Sequence, residues 1–334
     1  MSRAQVRLRD VAVSAGVSVR TVSNVVNGYA HVAPATRARV QQVLDELGYR
    51  PNLAARQLRR GRTGMIGVVV PEIASPYFSE LAAALVTAAT ELGWTVLVDE
   101  TGGDAERERQ LLDGSGARLV DGLILSPWAL DPRTVERPEL PVVLLGEQSA
   151  PGVLDHVAVD NVAASIEATA HLVSLGRRRI AAVGLQPHLT NGTAALRQRG
   201  YRQALAGAGL AVDAALEVPV PDLHRASGYA AARELLAARP DALFCFTDEL
   251  ALGAMRALAE AGLRVPEDVA VIGFDDIEDG RYAVPSLSTV APAKDEIARL
   301  ALDRLLLRIA DPGEPVLALV ARHRLELRES TLGR

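Results

Sequence analysis

The sequence predicts a two-part chain: a small all-α head built on a helix-turn-helix, followed by an α/β core of parallel sheets. Three observations carry this expectation. Residues 8–27, LRDVAVSAGVSVRTVSNVVN, place apolar side chains at helical spacing on either side of a glycine. Residues 1–62 hold eleven arginines against Asp10, Asp45 and Glu46, a charge of +8 on a chain that totals −5, so the remainder carries −13. From residue 64 onward, short apolar runs alternate with helical segments, the grammar of β-α-β units. At 334 residues the chain is long enough for two or three domains with cores of their own.

In the head, Leu8, Val11, Ala12 and Ala15 form one helical stripe. Gly16 follows where a left-handed residue is needed. Ser18 can cap the second helix, whose buried stripe is Val22, Val25 and Val26. Arg20, Thr21, Ser23, Asn24 and Asn27 remain on the outer face, with Val19 at its start. Short polar side chains with one Arg and two Asn suit base edges and phosphates in a DNA major groove. An ordinary surface helical hairpin is the local alternative. A third helix is expected over 34–47, opened by Pro34, buried through Val40, Val43, Leu44 and Leu47, and ended by Gly48. Pro51 then breaks the chain, and Asn52 can cap a helix of about two turns, too short to stand alone in water; a plain linker with helical bias is the alternative.

In the core, strands are expected at MIGVVV, WTVLVD, GLILS, PVVLLG, HVAVD, IAAVG, LFCF and VAVIGF, with helices near 79–92, 161–175, 194–208, 227–238, 248–262 and 293–309. Parallel sheets bind ligands at the carboxyl ends of their strands. Ser126, Thr247 with Asp248, and Asp275 with Asp276 end strands in this way. Arg197 shares a helical register with Leu196, Tyr201 and Leu205, where a guanidinium can fork onto vicinal hydroxyls or a carboxylate. A surface arginine beside Arg199 and Arg202 is the alternative.

Several function classes are excluded. There is no P-loop, GxGxxG or GxSxG, and the six histidines show no metal-ligand spacing, so no catalytic residue, metal or cofactor is expected. The one cysteine, Cys245 in LFCF, reads as an inert core thiol. No apolar run is long enough to span a bilayer and no apolar segment follows the N-terminal arginine, so a cytoplasmic protein is expected, with no membrane partner. Lys294 is the sole lysine; arginine carries nearly all positive charge.

Residues 8–62 resemble the DNA-binding head of the LacI-type (lactose and purine repressor) transcription factors, through LRDVA, AGVSVRTVS, VVNG, TRARV, LGYRPN, ARQLR and GRTGMIGVVVP. The likeness continues to Arg328, Glu329 and Ser330 and so covers nearly the whole chain. It implies a head over 1–50, a hinge helix over 51–62, and a ligand-binding and dimerisation core over 63–334. The core is implied to resemble periplasmic sugar-binding proteins: two doubly wound parallel-sheet subdomains, 63–160 with 291–322, and 161–290 with 323–334. The crossings are expected near Asp160 and Asn161, near Val290 and Ala291, and near Arg322.

The resemblance places Val19, Arg20, Thr21, Ser23, Asn24, Asn27, His31, Asn52 and Arg56 on the DNA, with Leu58 wedged in the minor groove. Its ligand set falls on Tyr77, Phe78, Ser126, Glu147, Thr193, Arg197 (in RxxGY), Thr247 and Asp275. Departures are specific. Asn24 stands where the family usually has Arg, Gly146 followed by Glu147 where many have Asp, Thr247 where Asn is common, and Leu223 where several have an aromatic platform. The expected function is a ligand-responsive, sequence-specific DNA-binding regulator, a repressor of operator DNA whose effector is a carbohydrate. A guanidinium opposite a carboxylate suits a neutral, hydroxyl-rich ligand. A purine- or nucleoside-responsive regulator and a sugar-binding receptor are the competing readings. The chain runs only a few residues past its last expected strand, LELRES, leaving no length for a tetramer-forming helix, so a homodimer is expected.

Overall fold

A computed structural model describes residues 6–26, 29, 31–49, 62–113, 119–131, 134, 138–147, 152–187, 189 and 192–333. The chain divides into two compact units, Met1–Thr63 and Gly64–Arg334.

The head contains α1 (Leu8–Ala15), α2 (Val19–Val26) and α3 (Pro34–Leu47). Gly16 and Gly48 end α1 and α3 with φ of 62° and 61°, a conformation that costs side-chain-bearing residues energy and glycine none. Ser18 Oγ accepts from the backbone N–H of Thr21 at 3.1 Å, closing the first turn of α2. Val11, Ala12, Ala15, Val22, Val25, Val40 and Leu44 form the head's core. The expected third-helix face needs one correction: Leu47 is 38% exposed. It is the last residue of α3, beyond the reach of the two shorter helices.

The first half of the core contains β1 (Met65–Val70), α4 (Pro76–Glu91), β2 (Thr95–Glu100), α5 (Ala105–Leu112), β3 (Gly122–Leu125), β4 (Val142–Leu145) and β5 (Asp155–Val159). It continues through α6 (Asn161–Ser174), β6 (Ile180–Leu185), α7 (Thr193–Gly207), β7 (Glu217–Pro219), α8 (Arg225–Leu235), β8 (Ala242–Cys245) and α9 (Asp248–Glu260). The last elements are β9 (Ala270–Phe274), α10 (Glu278–Tyr282), β10 (Ser288–Pro292), α11 (Lys294–Ala310), β11 (Ala318–Ala321), β12 (His323–Glu326) and α12 (Glu329–Leu332).

Two sheets result, ordered β11-β5-β4-β3-β1-β2 and β12-β10-β9-β8-β6-β7. All pairings are parallel except β10 with β12. The chain passes from the first sheet to the second after β5, returns after β10, and crosses again between β11 and β12. The return follows Pro292, where Ala291 and Pro292 still pair with Arg324 and His323. The expected last strand LELRES is also corrected: β12 stops at Glu326, and Glu329–Leu332 turns into a short helix. Ser330 Oγ there donates to the Val271 carbonyl at 2.6 Å and drops the segment onto β9.

Each sheet has its own apolar core. The second is closed by fully buried Tyr201, whose hydroxyl donates to the Ile180 carbonyl at 2.7 Å. The long α11 is fastened to the first sheet by fully buried Asp155, which takes Arg304 at 2.8 Å and Arg308 at 2.7 Å. Cys245 is buried among apolar groups that push its thiol up, so it stays unionised. In both sheets the strand order reverses beside the earliest strand, at β1/β3 and at β6/β8. Such switch points open a crevice at the strands' carboxyl ends.

Candidate functional site

On the head, Val19 and Arg20 are exposed, and Thr21, Ser23 and Asn24 are half-buried along α2. Thr21 Oγ1 lies 2.9 Å from Ser18 Oγ, so its hydroxyl belongs partly to the cap. His31 is exposed in the turn before α3. This leaves a polar face with Arg20 at the N-terminal end of the helix, the end that approaches base edges in helix-turn-helix proteins. Asn27, Asn52, Arg56 and Leu58 lie outside the described residues.

In the core, all eight residues expected to touch a ligand line one cavity: Tyr77, Phe78, Ser126, Glu147, Thr193, Arg197, Thr247 and Asp275. Topology brings them together. Tyr77 and Phe78 open α4 after β1, while Ser126 and Glu147 follow β3 and β4. Thr193 and Arg197 lie on the first turns of α7; Thr247 follows β8 and Asp275 follows β9. The cavity thus sits where the switch points of the two sheets meet.

Arg197 is its centre. The residue is 7% exposed, with its guanidinium carbon 3.4 Å from the centroid of the Phe274 ring. Nε donates to Asn161 Oδ1 at 2.7 Å, one terminal nitrogen donates to the Phe246 carbonyl, and the other lies 3.7 Å from Asp275 Oδ1. Burial alone lowers the guanidinium pKa, and the carboxylates of Asp275 and Glu147 oppose that shift. Asp275 is raised to about 7, because burial disfavours its charge more than Arg197 and Lys294 favour it. Tyr77 is pushed up by burial and by the charges of Asp275 and Glu147, so it remains a phenol.

Asp275 adopts φ 118° and Asp276 φ 49°, a strained turn for residues with side chains. Asp275 N–H donates to the Val290 carbonyl at 2.8 Å. Asp276 pairs with Arg281 and Arg328, which hold its carboxyl below the usual range despite burial. Buried Asp248 accepts from Ile277 N–H at 3.0 Å and Thr289 Oγ1 at 2.6 Å. Gly273 is required beneath it, since a Cβ there would lie 2.1 Å from Asp248 Oδ1. The turn is therefore clamped from both sides, and of its two adjacent carboxyls only Asp275 lines the cavity.

Sequence reasoning left several lining groups unassigned: Asn161, Gln186, His224, Glu249 and Phe274. Asn161 is central, because its Nδ2 donates to Glu147 Oε1 while its Oδ1 holds Arg197. Thr193 Oγ1 donates to Glu147 Oε2 at 2.6 Å, so Glu147 ties the first sheet's side of the cavity to the second. At the mouth, His224 lies 3.3 Å from Glu72 and 3.8 Å from Glu249. Asn161 and Gln186 follow strands β5 and β6, and that strand-end position was the signal available for them. Thr247 differs from expectation in detail: its hydroxyl donates to the Leu223 carbonyl at 3.0 Å and caps α9 through Leu250 N–H. Among the described residues no His, Cys, Asp and Glu group is placed to hold a metal ion, and no helix is long and apolar enough to cross a membrane.

Residues 7–52 match the family described as bacterial regulatory proteins, lacI family, and residues 169–331 match the periplasmic binding protein-like domain. The chain is similar to the ribose operon repressor of Escherichia coli K12, 35% identical over 91% of this chain and 93% of that protein. Among solved structures, the lac repressor dimer bound to operator and the anti-inducer ONPF superimposes with a TM-score of 0.84, at 28% identity, over 98% of this chain and 100% of that one. A complex of the transcriptional regulator CelR with cellobiose superimposes at 0.71, with 32% identity, over 97% and 99% of the two chains.

Proposed function

This chain belongs to the lacI family of bacterial regulatory proteins, and from that premise we propose that it is a repressor whose grip on operator DNA is changed by a carbohydrate in the core cavity. That it is a ligand-responsive, sequence-specific DNA-binding transcriptional regulator follows from the family. The finer reading rests on one observation: Arg197 and Asp275, both buried, meet 3.7 Å apart in the lining of one cavity. An arginine that donates beside a carboxylate that accepts complements a neutral ligand bearing several hydroxyls. The sugar named in the CelR complex is consistent with this reading.

The head over 1–50 reads DNA, 51–62 act as the hinge, and a homodimer places two α2 helices in successive half-sites. The effector lies between the two sheets, so occupancy biases their relative orientation, which couples to the heads as any effector site must, by differential affinity for two states. No catalytic role is assigned to any residue, and the chain is read as acting in the cytoplasm.

A gel-shift titration of the purified chain against DNA upstream of its own gene tests the DNA half. Binding to a specific site is expected, and Arg20→Ala is expected to weaken it by ~1–3 kcal/mol and to relax preference at one operator position. An equal loss on specific and random DNA would reduce Arg20 to a phosphate contact.

The pKa of Asp275 gives a second test. A carboxyl raised to about 7 is mostly protonated at pH 6 and mostly ionised at pH 8. The ionised form is the stronger acceptor for two hydroxyls, so sugar affinity is expected to rise, by up to roughly tenfold, between those values, with uptake of sugar releasing a proton. Calorimetry in buffers of different ionisation heat reads both effects; a flat affinity with no proton release removes Asp275 from the ligand.

A further inference from the structure

We propose that Trp128 is the aromatic surface on which the effector's ring lies, and that buried Glu108 is the positioning residue that holds it there. The inference rests on the carbohydrate reading of the cavity and adds the face that a pyranose ring would use.

Four of the chain's twelve aromatic residues line this one cavity: Tyr77, Phe78, Trp128 and Phe274. Two of them already have a cation near the ring, and Phe78 has both Tyr77 and Trp128 as ring neighbours. Phe274 carries the Arg197 guanidinium on its ring. Tyr77 sits edge-on to Phe78 at 5.2 Å, with Lys294 Nζ 5.7 Å from its centroid. Leu223, which also lines the cavity, has no ring. Trp128 is half-buried, lies 6.3 Å from Phe78, and follows directly on Ser126 and Pro127 at the end of β3. An indole offers a broad face to the C–H side of a sugar ring together with an N–H donor.

The segment that carries Trp128 is fixed by a group outside the cavity. Glu108, on α5, is fully buried, and its carboxylate accepts three successive backbone N–H groups: Trp128 at 2.8 Å, Ala129 at 3.2 Å and Leu130 at 2.8 Å. Thr101 Oγ1 donates to the same carboxylate at 3.3 Å and accepts from Gly103 N–H at 3.2 Å. Gly103 has φ 70°, and a Cβ there would stand 3.8 Å from Trp128 Cγ, so the 101–103 turn backs the indole. A carboxylate satisfied by three amides is a rigid anchor.

Trp128 and Trp94 are the only tryptophans, and Trp94 does not line the cavity, so Trp94→Phe makes emission report on Trp128 alone. Full-length Trp94→Phe protein is titrated with D-ribose, D-glucose, cellobiose and adenine, by calorimetry and fluorescence in parallel. The sugar that binds is expected to quench or blue-shift Trp128 emission. Trp128→Leu is expected to weaken that sugar about tenfold, and Trp128→Phe by markedly less. In the absence of any sugar, Glu108→Gln is expected to raise the accessibility of Trp128 to acrylamide about twofold or more, since one of the two accepting oxygens becomes a donor facing donors. Calorimetric binding of a sugar with unchanged Trp128 emission overturns the platform. Unchanged acrylamide quenching in folded Glu108→Gln overturns the anchor. Should Glu108→Gln not fold, the leucine and phenylalanine variants still decide the platform. Binding of adenine alone, with Trp128 quenched, keeps the platform and overturns the carbohydrate reading instead.

Discussion

Arg197→Ala is expected to weaken effector binding by ~2 kcal/mol or more, some thirtyfold, while operator binding persists and no longer responds to the sugar. The size follows from what the guanidinium holds. It is buried, bonded to Asn161 and the Phe246 carbonyl, stacked on Phe274, and close to Asp275. Removing it strips a buried carboxyl of its nearest cation. The pKa of Asp275, already raised by burial, then rises further, and the acid becomes neutral at pH 7. A second signature follows: the increase of affinity with pH is displaced upward in Arg197→Ala. Asp275→Ala is expected to cost a similar amount but to remove the rise of affinity that follows ionisation of Asp275. Calorimetric titration of both variants between pH 6 and 9, beside gel shifts with and without sugar, separates these outcomes. Normal titration curves in both variants would show that the effector binds elsewhere.

Gly253→Ala is expected to destabilise the core by ~3 kcal/mol or more, because a single methyl is placed where backbone already stands. Helices α8 and α9 cross at backbone contact. A Cβ on Gly253 would lie 1.9 Å from the Arg225 carbonyl oxygen, and one on Gly228 would lie 2.1 Å from that of Leu250. No rotamer relieves a clash with backbone; the helices must separate. For a core of this size the shift in Tm is expected to be about 6–12 °C. Gly207→Ala in the last turn of α7 is the control: nothing lies within 4 Å of its Cβ, and it is expected to be neutral or to stabilise by ~0.5–1 kcal/mol. The crossing also matters for function. His224 precedes α8 and Thr247 precedes α9, so separated helices carry two cavity residues away from Arg197. Thermal unfolding followed by circular dichroism measures both substitutions; equal Tm values would mean the crossing is loose.

Which elements could be read from sequence depended on where their information lies. The strand MIGVVV and the helix 34–47 were legible because an unbroken apolar run, or a Pro-to-Gly frame, is a local signal. Helix α5 was not, since AERERQLL buries only Glu108 and Leu112 and shows no apolar stripe. Strands β7, β10 and β11 escaped for a related reason. EVP and STVAP are short and contain proline, and ALVA lies on an exposed sheet edge. Their strand character comes from the neighbour each pairs with, and not from composition.

The same division holds at the cavity. Polar residues that end apolar strands point to a ligand face, so Ser126, Thr247 and Asp275 could be chosen from strand ends, while Arg197 came from its helical register with the RxxGY resemblance and Thr193 from family resemblance alone. By itself the sequence determined the helix-turn-helix with its two left-handed glycines, the β-α-β order, the basic head, and the set of strand ends available to a ligand. Each of these is written in residues within a few positions of one another. Only the tertiary structure decided which charges are buried and what they hold: Asn161 bridging Glu147 and Arg197, Asp248 beneath the strained Asp275 turn, Glu108 behind Trp128. Burial and hydrogen-bond satisfaction depend on segments tens to hundreds of residues apart, and in a low-dielectric interior an acid is either held by distant donors or does not stay charged.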